Sequence, residues 1–196
     1  MSVDVKESAA EIPAARDSGT VGEGSALAVV LRDVRLLLIA LWLGGAVFFS
    51  ATVAPTAFSV LRSRHVQYAN EAAGSIVTGA LSIVNTSGFI IALMLLASVF
   101  LFRRDLKRRT FFVEIISLAL VAIATAIGQW VIAARMLSLR AQMGVPIDDV
   151  AVDNPLRVSF NSLHGYSVTA LAVAIIAGAV ALLLIARRGQ RPEVRD

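Results

Sequence analysis

"VRLLLIALWLGGAVFFSATVA", residues 34–54, decides what kind of molecule this is. After Arg35 the stretch carries no charge. A helix of roughly 20 such residues crosses a hydrocarbon core about 30 Å thick. Three further blocks of the same kind follow, at about 80–102, 111–134 and 160–186, each uncharged in its middle. Backbone groups in lipid have no water to bond, so each block must satisfy its own amides and carbonyls as a helix. The expectation is an all-α integral membrane protein, a bundle of four transmembrane helices.

Composition agrees. Of 196 residues, 57% are hydrophobic and the mean hydropathy is +0.77, against roughly 45–50% apolar residues in an ordinary soluble domain. There is no cysteine, which removes disulfides, thiolate metal sites and cysteine nucleophiles from consideration. A net charge of +4 and a pI near 10.3 could point to nucleic acid. The placement of the basic residues argues otherwise. Four of the 18 Lys and Arg residues lie in the N-terminal segment and the start of the first block, five at 103–109 and four after 186. The remaining five fall in the other two connections. Basic residues concentrate on the cytoplasmic side of membrane proteins, so both termini are expected in the cytoplasm and no nucleic-acid partner is needed. The bilayer is the expected partner, with anionic lipid headgroups or a membrane protein as further candidates. Residues 1–30, rich in Ala, Ser, Gly and acids, read as a disordered cytoplasmic tail. Residues 31–188 read as the membrane domain and 189–196 as a basic cytoplasmic tail.

The polar residues inside the blocks are few. Gly44, Gly45, Ala46 and Ser50 form a small-residue face of the sort that lets helices approach closely in lipid. Pro55 stands where the first helix should end, since Pro lacks an N–H and disfavours helix in the residue before it. Trp42, too deep for an interfacial belt, is expected inside the bundle. Asn85 should face a neighbouring helix, and Thr125 and Gln129 share a face. Glu114 reads as a snorkelling surface carboxylate within reach of Arg108 or Arg109. The fourth block opens with the densest set: at 100° per residue, Arg157, Asn161 and His164 fall on one stripe. With both termini inside, Asn85, Gln129, Arg157, Asn161 and His164 all belong to the outer half of the membrane. Polar side chains there turn inward, so a single outward-opening pocket is expected.

Three segments together resemble one family. "LWLGGAVFFSATVAPTAFSVL" is similar to its first helix, "ANEAAGSIVTGALSIVNTSG" to its second segment, and "NPLRVSFNSLHGYSV" to its fourth-helix signature. The family is the bacterial domain of unknown function 4149, related to transmembrane protein 205-like proteins, and the resemblance covers roughly 36–184. It implies a four-helix protein of the bacterial inner membrane, without an established activity. It makes Trp42, Gly44, Pro55, Phe58, Arg157, Phe160, His164 and Ser167 the motif positions.

Two functions compete. One is a non-enzymatic membrane protein whose outer polar pocket takes a small ligand, a lipid headgroup or a partner, with no cofactor. The alternative is a haem- or copper-binding membrane protein with His164 as ligand and Met94 or Met136 beside it. Haem needs one or two axial side chains, and the other histidine, His65, falls in a connection. That weighs toward the first reading. No Ser has a His and Asp placed with it as a hydrolase triad requires, and no catalytic residue is assigned.

Overall fold

Each apolar block becomes a helix, and two of them run well past the block itself. In a computed structural model, which describes residues 19–100 and 108–187 with side chains from 26 onward, helix α1 spans Gly19–Phe48. A π-helical segment, Phe49–Val53, leads straight into α2, Ala54–Ser63. After a tight connection comes α3, Ala69–Val99, and then α4, Arg108–Ala126. A second π-helical segment, Ile127–Ala133, joins α4 to α5, Ala134–Met143. A short 3-10 turn at Ile147–Asp149 precedes α6, Pro155–Ala186. Every regular element among the described residues is helical, and four helices, two of them composite, are long and apolar enough to cross a membrane. Exposed residues such as Leu41, Ile83, Ile116 and Ile176 cover their outer surfaces, as a lipid-facing exterior requires.

Helix α1 begins at Gly19, within the stretch 1–30 read from the sequence as a tail; residues 1–18 and 188–196 lie outside the described residues. Pro55 does not end the first helix. It sits in the first turn of α2. Its ring would collide with the carbonyl four residues back in an unbroken α-helix. The wide π turn immediately before it changes the pairing, so that Ala54 N–H donates to Phe49 O, five residues back. The chain therefore continues past the proline.

The bundle has two ends. One, the basic pole, holds Phe100, Arg108 and both ends of the described chain. The other, the loop pole, holds connections 64–68 and 144–154. Gly144 closes α5 at φ +68°, a left-handed conformation that suits glycine. Asn154 opens α6 by accepting Leu156 N–H at 2.9 Å, with Pro155 in the first turn.

Toward the basic pole the helices are fully packed. Ile39, Leu95, Val99, Leu118 and Ile185 are all buried there. Trp42, 5% exposed, lies between α3 and α6 because Gly88 and Gly178 leave room for its ring. A Cβ on Gly88 would stand 2.5 Å from Trp42 Nε1, and one on Gly178 would stand 2.8 Å from Cζ3. The indole N–H donates to Val84 O at 3.0 Å. Trp42 is in the bundle as expected, but the packing face expected around it is different. Gly44 and Gly45 are exposed, with open space where a side chain would be, and Ser50 is exposed too. The inward stripe is Trp42, Ala46 and Phe49. The small residues that matter are the two glycines on the partner helices.

Glu114 is also placed differently. It is fully buried, and its Oε1 accepts from Arg35 Nη2 at 2.6 Å, with Arg35 itself 4% exposed. Burial of a lone carboxylate in such a core is prohibitive. A cation at the same depth on α1 neutralises it, so it does not snorkel toward Arg108 or Arg109.

Candidate functional site

At the loop pole the packing changes. Helix α2 packs on α3 and α5 packs on α6, and the two pairs stand apart. A cavity of about 1290 Å³ occupies the gap. Both π segments lie where this opening begins.

Four of the five sequence-predicted binding residues line this one cavity: Gln129, Arg157, Asn161 and His164. They come from the second π segment and α6, two stretches remote in sequence. Pro55, Phe58, Phe160 and Ser167 line it as well. Asn85 does not. It is 3% exposed and packs against Gly128, where an added Cβ would meet its Nδ2 at 3.1 Å. It therefore faces a neighbouring helix as expected, but outside the cavity wall. Gln129 donates from Nε2 to Ser82 Oγ at 2.9 Å, and its buried Oε1 has no hydrogen-bond partner among the described residues. Thr125 turns back on its own helix, donating to Val121 O at 2.7 Å.

The mouth of the cavity holds two arginines that the sequence reading left in connections, Arg62 and Arg140. Both follow from helices running past their apolar blocks. Phe58 and Arg62 are four residues apart on α2, and Gln129, Ala133 and Arg140 fall at helical spacings through the second π segment and α5. Arg62 Nε donates to Asn70 Oδ1 at 2.9 Å, and its guanidinium lies 5.5 Å from the centroid of the Phe58 ring. Arg157 Nη1 donates to Val150 O. Their hydrogen-bond acceptors are neutral, and among the described residues neither arginine has an ion-pair partner. Arg140 differs: its Nε lies 2.7 Å from Glu71 Oε1, an ion pair without hydrogen-bond alignment, and its Nη2 donates to Glu71 O at 3.2 Å.

Connection 144–154 is tied across the top by the same residues. Asp148 accepts Glu71 N–H at 3.0 Å, Asn70 N–H at 3.3 Å and Asn70 Nδ2 at 2.6 Å, and so caps the start of α3 from another part of the chain. Such a cap is needed because Tyr68, which precedes α3, offers no side-chain bond and sits at φ 56°. Burial pushes the Asp148 carboxyl up, but the donors from Glu71 and Asn70 outweigh it and hold the group below the ordinary carboxylate value. Glu71 Oε2 in turn accepts Ile147 N–H at 3.1 Å.

Among the described residues, no carboxylate lines the cavity. Its polar wall combines cationic, hydroxyl and amide groups with one imidazole, a set able to bind an anion. Met136 shares the cavity with His164, whereas Met94 lies toward the basic-pole end of α3 and is 55% exposed. Among the described residues, no three His, Asp or Glu side chains gather as a metal site.

The model of the family described as "Domain of unknown function (DUF4149)" matches residues 37–144, more than half of the chain, and the protein belongs to that family. The match contains Trp42, Gly44, Gly45, Pro55, Phe58, Asn85 and Gln129, and stops before Arg157, Phe160, Asn161, His164 and Ser167. No curated protein and no solved structure matches the chain. The protein is thus a multi-pass membrane protein of a family without an assigned function.

Proposed function

We propose that this protein is a non-enzymatic binding protein whose cavity at the loop pole takes an anionic group. The observation that supports the reading most directly is the lining itself. Arg62 and Arg157, neither of them ion-paired among the described residues, share one cavity with His164 and the amide of Gln129. A guanidinium presents paired donors to phosphate or carboxylate oxygens, and charge-assisted bonds of this kind are roughly twice as strong as neutral ones. Among the described residues that line the cavity, no acidic group stands with His164 to orient it for nucleophilic chemistry, so binding without catalysis is the simpler reading.

The test is thermal unfolding of the purified protein in detergent, titrated with inorganic phosphate. A ligand at a hundredfold excess over its Kd stabilises the folded state by about 2.7 kcal/mol. Arg157→Gln and His164→Ala should fold and lose most of the shift. An undiminished shift in both variants, or none in the parent protein, sinks the proposal. If His164→Ala fails to fold, His164 is a packing residue and Arg157→Gln carries the test alone.

The proposed orientation puts the loop pole outside the cytoplasm, in a bacterial inner membrane, with both termini inside. Three bands of basic residues on the opposite side support it. Cysteines placed singly at Ser63, Ser138 and Glu193 of this cysteine-free chain test it. A membrane-impermeant thiol reagent on intact cells should label the first two and spare the third. Labelling the third alone would invert the orientation.

A further inference from the structure

Below the cavity mouth a second, narrower space of about 330 Å³ begins. Pro55, Phe58, Val77, Leu81, His164 and Ser167 line both, so the two are continuous. The character changes along the way. The upper space carries Arg62, Arg140, Arg157 and Asn161, whereas the lower is walled chiefly by Phe49, Ala54, Leu171, Ala172 and Ile175. The lower space runs along α6 from His164 to Ile175, about 16 Å at 1.5 Å per residue. That is close to half of a hydrocarbon core about 30 Å thick. It is also open sideways. Ser50 and Val168 at its edges and Ala172 in its wall are exposed on the surface that faces lipid.

We infer that the occupant is a membrane amphiphile with an anionic headgroup and a hydrocarbon chain about one leaflet deep, entering laterally between α2 and α6. This rests on the anion-binding reading and goes beyond it by assigning the source of the anion. The headgroup sits among Arg62, Arg157 and Asn161, at the level where headgroups lie. The chain follows the groove past His164 toward Ile175. A water-soluble anion would use the upper space and leave the apolar groove without a purpose. An amphiphile uses both, and each methylene leaves one apolar surface for another, so charge at the mouth decides which lipid stays.

The test uses the full chain in nanodiscs of phosphatidylcholine containing a minor fraction of phosphatidylglycerol with a diazirine in one acyl chain. Crosslinked peptides are mapped by mass spectrometry. The expected result is enrichment in the groove, at residues 49–54 and 168–175, over an exposed control face of α4 that includes Ile116 and Ile123. Arg157→Gln should weaken groove occupancy roughly tenfold, as expected for loss of one hydrogen-bonded charge. Ala172→Trp should bring groove labelling down to the control level while leaving the thermal shift with inorganic phosphate intact; Val168→Trp replaces it if that variant does not fold. Groove labelling at the control level in the parent protein overturns the proposal, and so does equal labelling by a phosphatidylcholine probe. If inorganic phosphate still stabilises the protein in that case, the anion site survives and only the amphiphile is lost. If phosphate has no effect either, the underlying reading falls with it.

Discussion

The two halves of this bundle are made from the same four helices and solve opposite problems. The half toward the basic pole is closed: Gly88 and Gly178 admit Trp42, and Arg35 and Glu114 neutralise each other in a dry interior. The half toward the loop pole is open, and two of its cationic groups, Arg62 and Arg157, line space without an ion-pair partner among the described residues. Both halves carry charge. In one it is buried and matched within the protein, and in the other Arg62 and Arg157 stand partly open and are left for something else to match. Closure at one end holds the helices in place while they stand apart at the other.

The largest effect should come from breaking the matched charge. Glu114→Leu leaves the Arg35 guanidinium in the core and should cost about 3–5 kcal/mol, seen as loss of folded monomer in detergent. Adding Arg35→Met should restore much of the loss, because an apolar pair of similar volume is often nearly neutral. A cost for the single variant below about 1 kcal/mol, the typical value of a surface ion pair, would mean the pair is not sealed from water.

Next comes the glycine slot. Gly88→Ala places a methyl group 2.5 Å from Trp42 Nε1 and should cost about 1–3 kcal/mol by overpacking. A blue or red shift of the Trp42 fluorescence in a Trp130→Phe background should accompany it. Unchanged emission with unchanged stability would show that the ring lies elsewhere.

How far the sequence revealed this contrast depends on distance along the chain. The four spans were legible because block length and absence of charge are local properties. The gathering of Gln129, Arg157, Asn161 and His164 was legible because span direction fixes depth, and depth brought together residues from different helices. Asn85 shared that depth but points into the packed wall, which a depth argument cannot register. Glu114 was misread for want of a partner, yet a signal existed. Arg35 and Glu114 stand near the starts of two spans that run in the same direction, so opposite charges occupy the same level. The slot at Gly88 and Gly178 had no such signal: glycine next to space and glycine next to an indole look alike in a sequence. Arg62 and Arg140 carry no such signal, because the apolar blocks stop at 54 and about 134 while the helices run on to Ser63 and Met143.

A smaller effect separates the two halves by pH. Above about pH 4, the ordinary carboxylate range, Asp148 is ionised and its cap on α3 contributes in full. Because its folded value is depressed, that contribution is lost only as pH falls through the lower folded value. Asp148→Ala should cost about 0.5–2 kcal/mol at neutral pH, as loss of a helix cap does. The variant should also lose less stability than the parent on acidification. Hydrogen exchange should place the loss at the start of α3, with the Trp42 region unchanged. Equal slopes of stability against pH in both proteins would remove Asp148 from the account.

The smallest effect should be at Gly44 and Gly45. Each faces open space on the exposed side of α1, so Ala at either position should be neutral or stabilising by up to about 1 kcal/mol. A substantial loss of folded protein there, matching that at Gly88, would show that a second molecule covers this surface in the membrane.

The π turn at Phe49–Val53 has one more consequence, and it concerns phase. Such a turn holds one residue more than the α-helix needs, and one residue is 100° of rotation. The stripe that Trp42, Ala46 and Phe49 define would, at unbroken spacing, come round again at Val60. Val60 is 48% exposed, and the half-buried position is its neighbour Leu61. The chain crosses the membrane as one rod whose upper part has been turned on its own axis. That turn brings Phe58 and Arg62 toward the gap beside α6. Deleting one residue at the turn, with Pro55→Ala to remove the ring that an unbroken α-helix cannot hold, would keep nearly the same hydrophobic length and swing Arg62 away from His164 by about a quarter of a revolution.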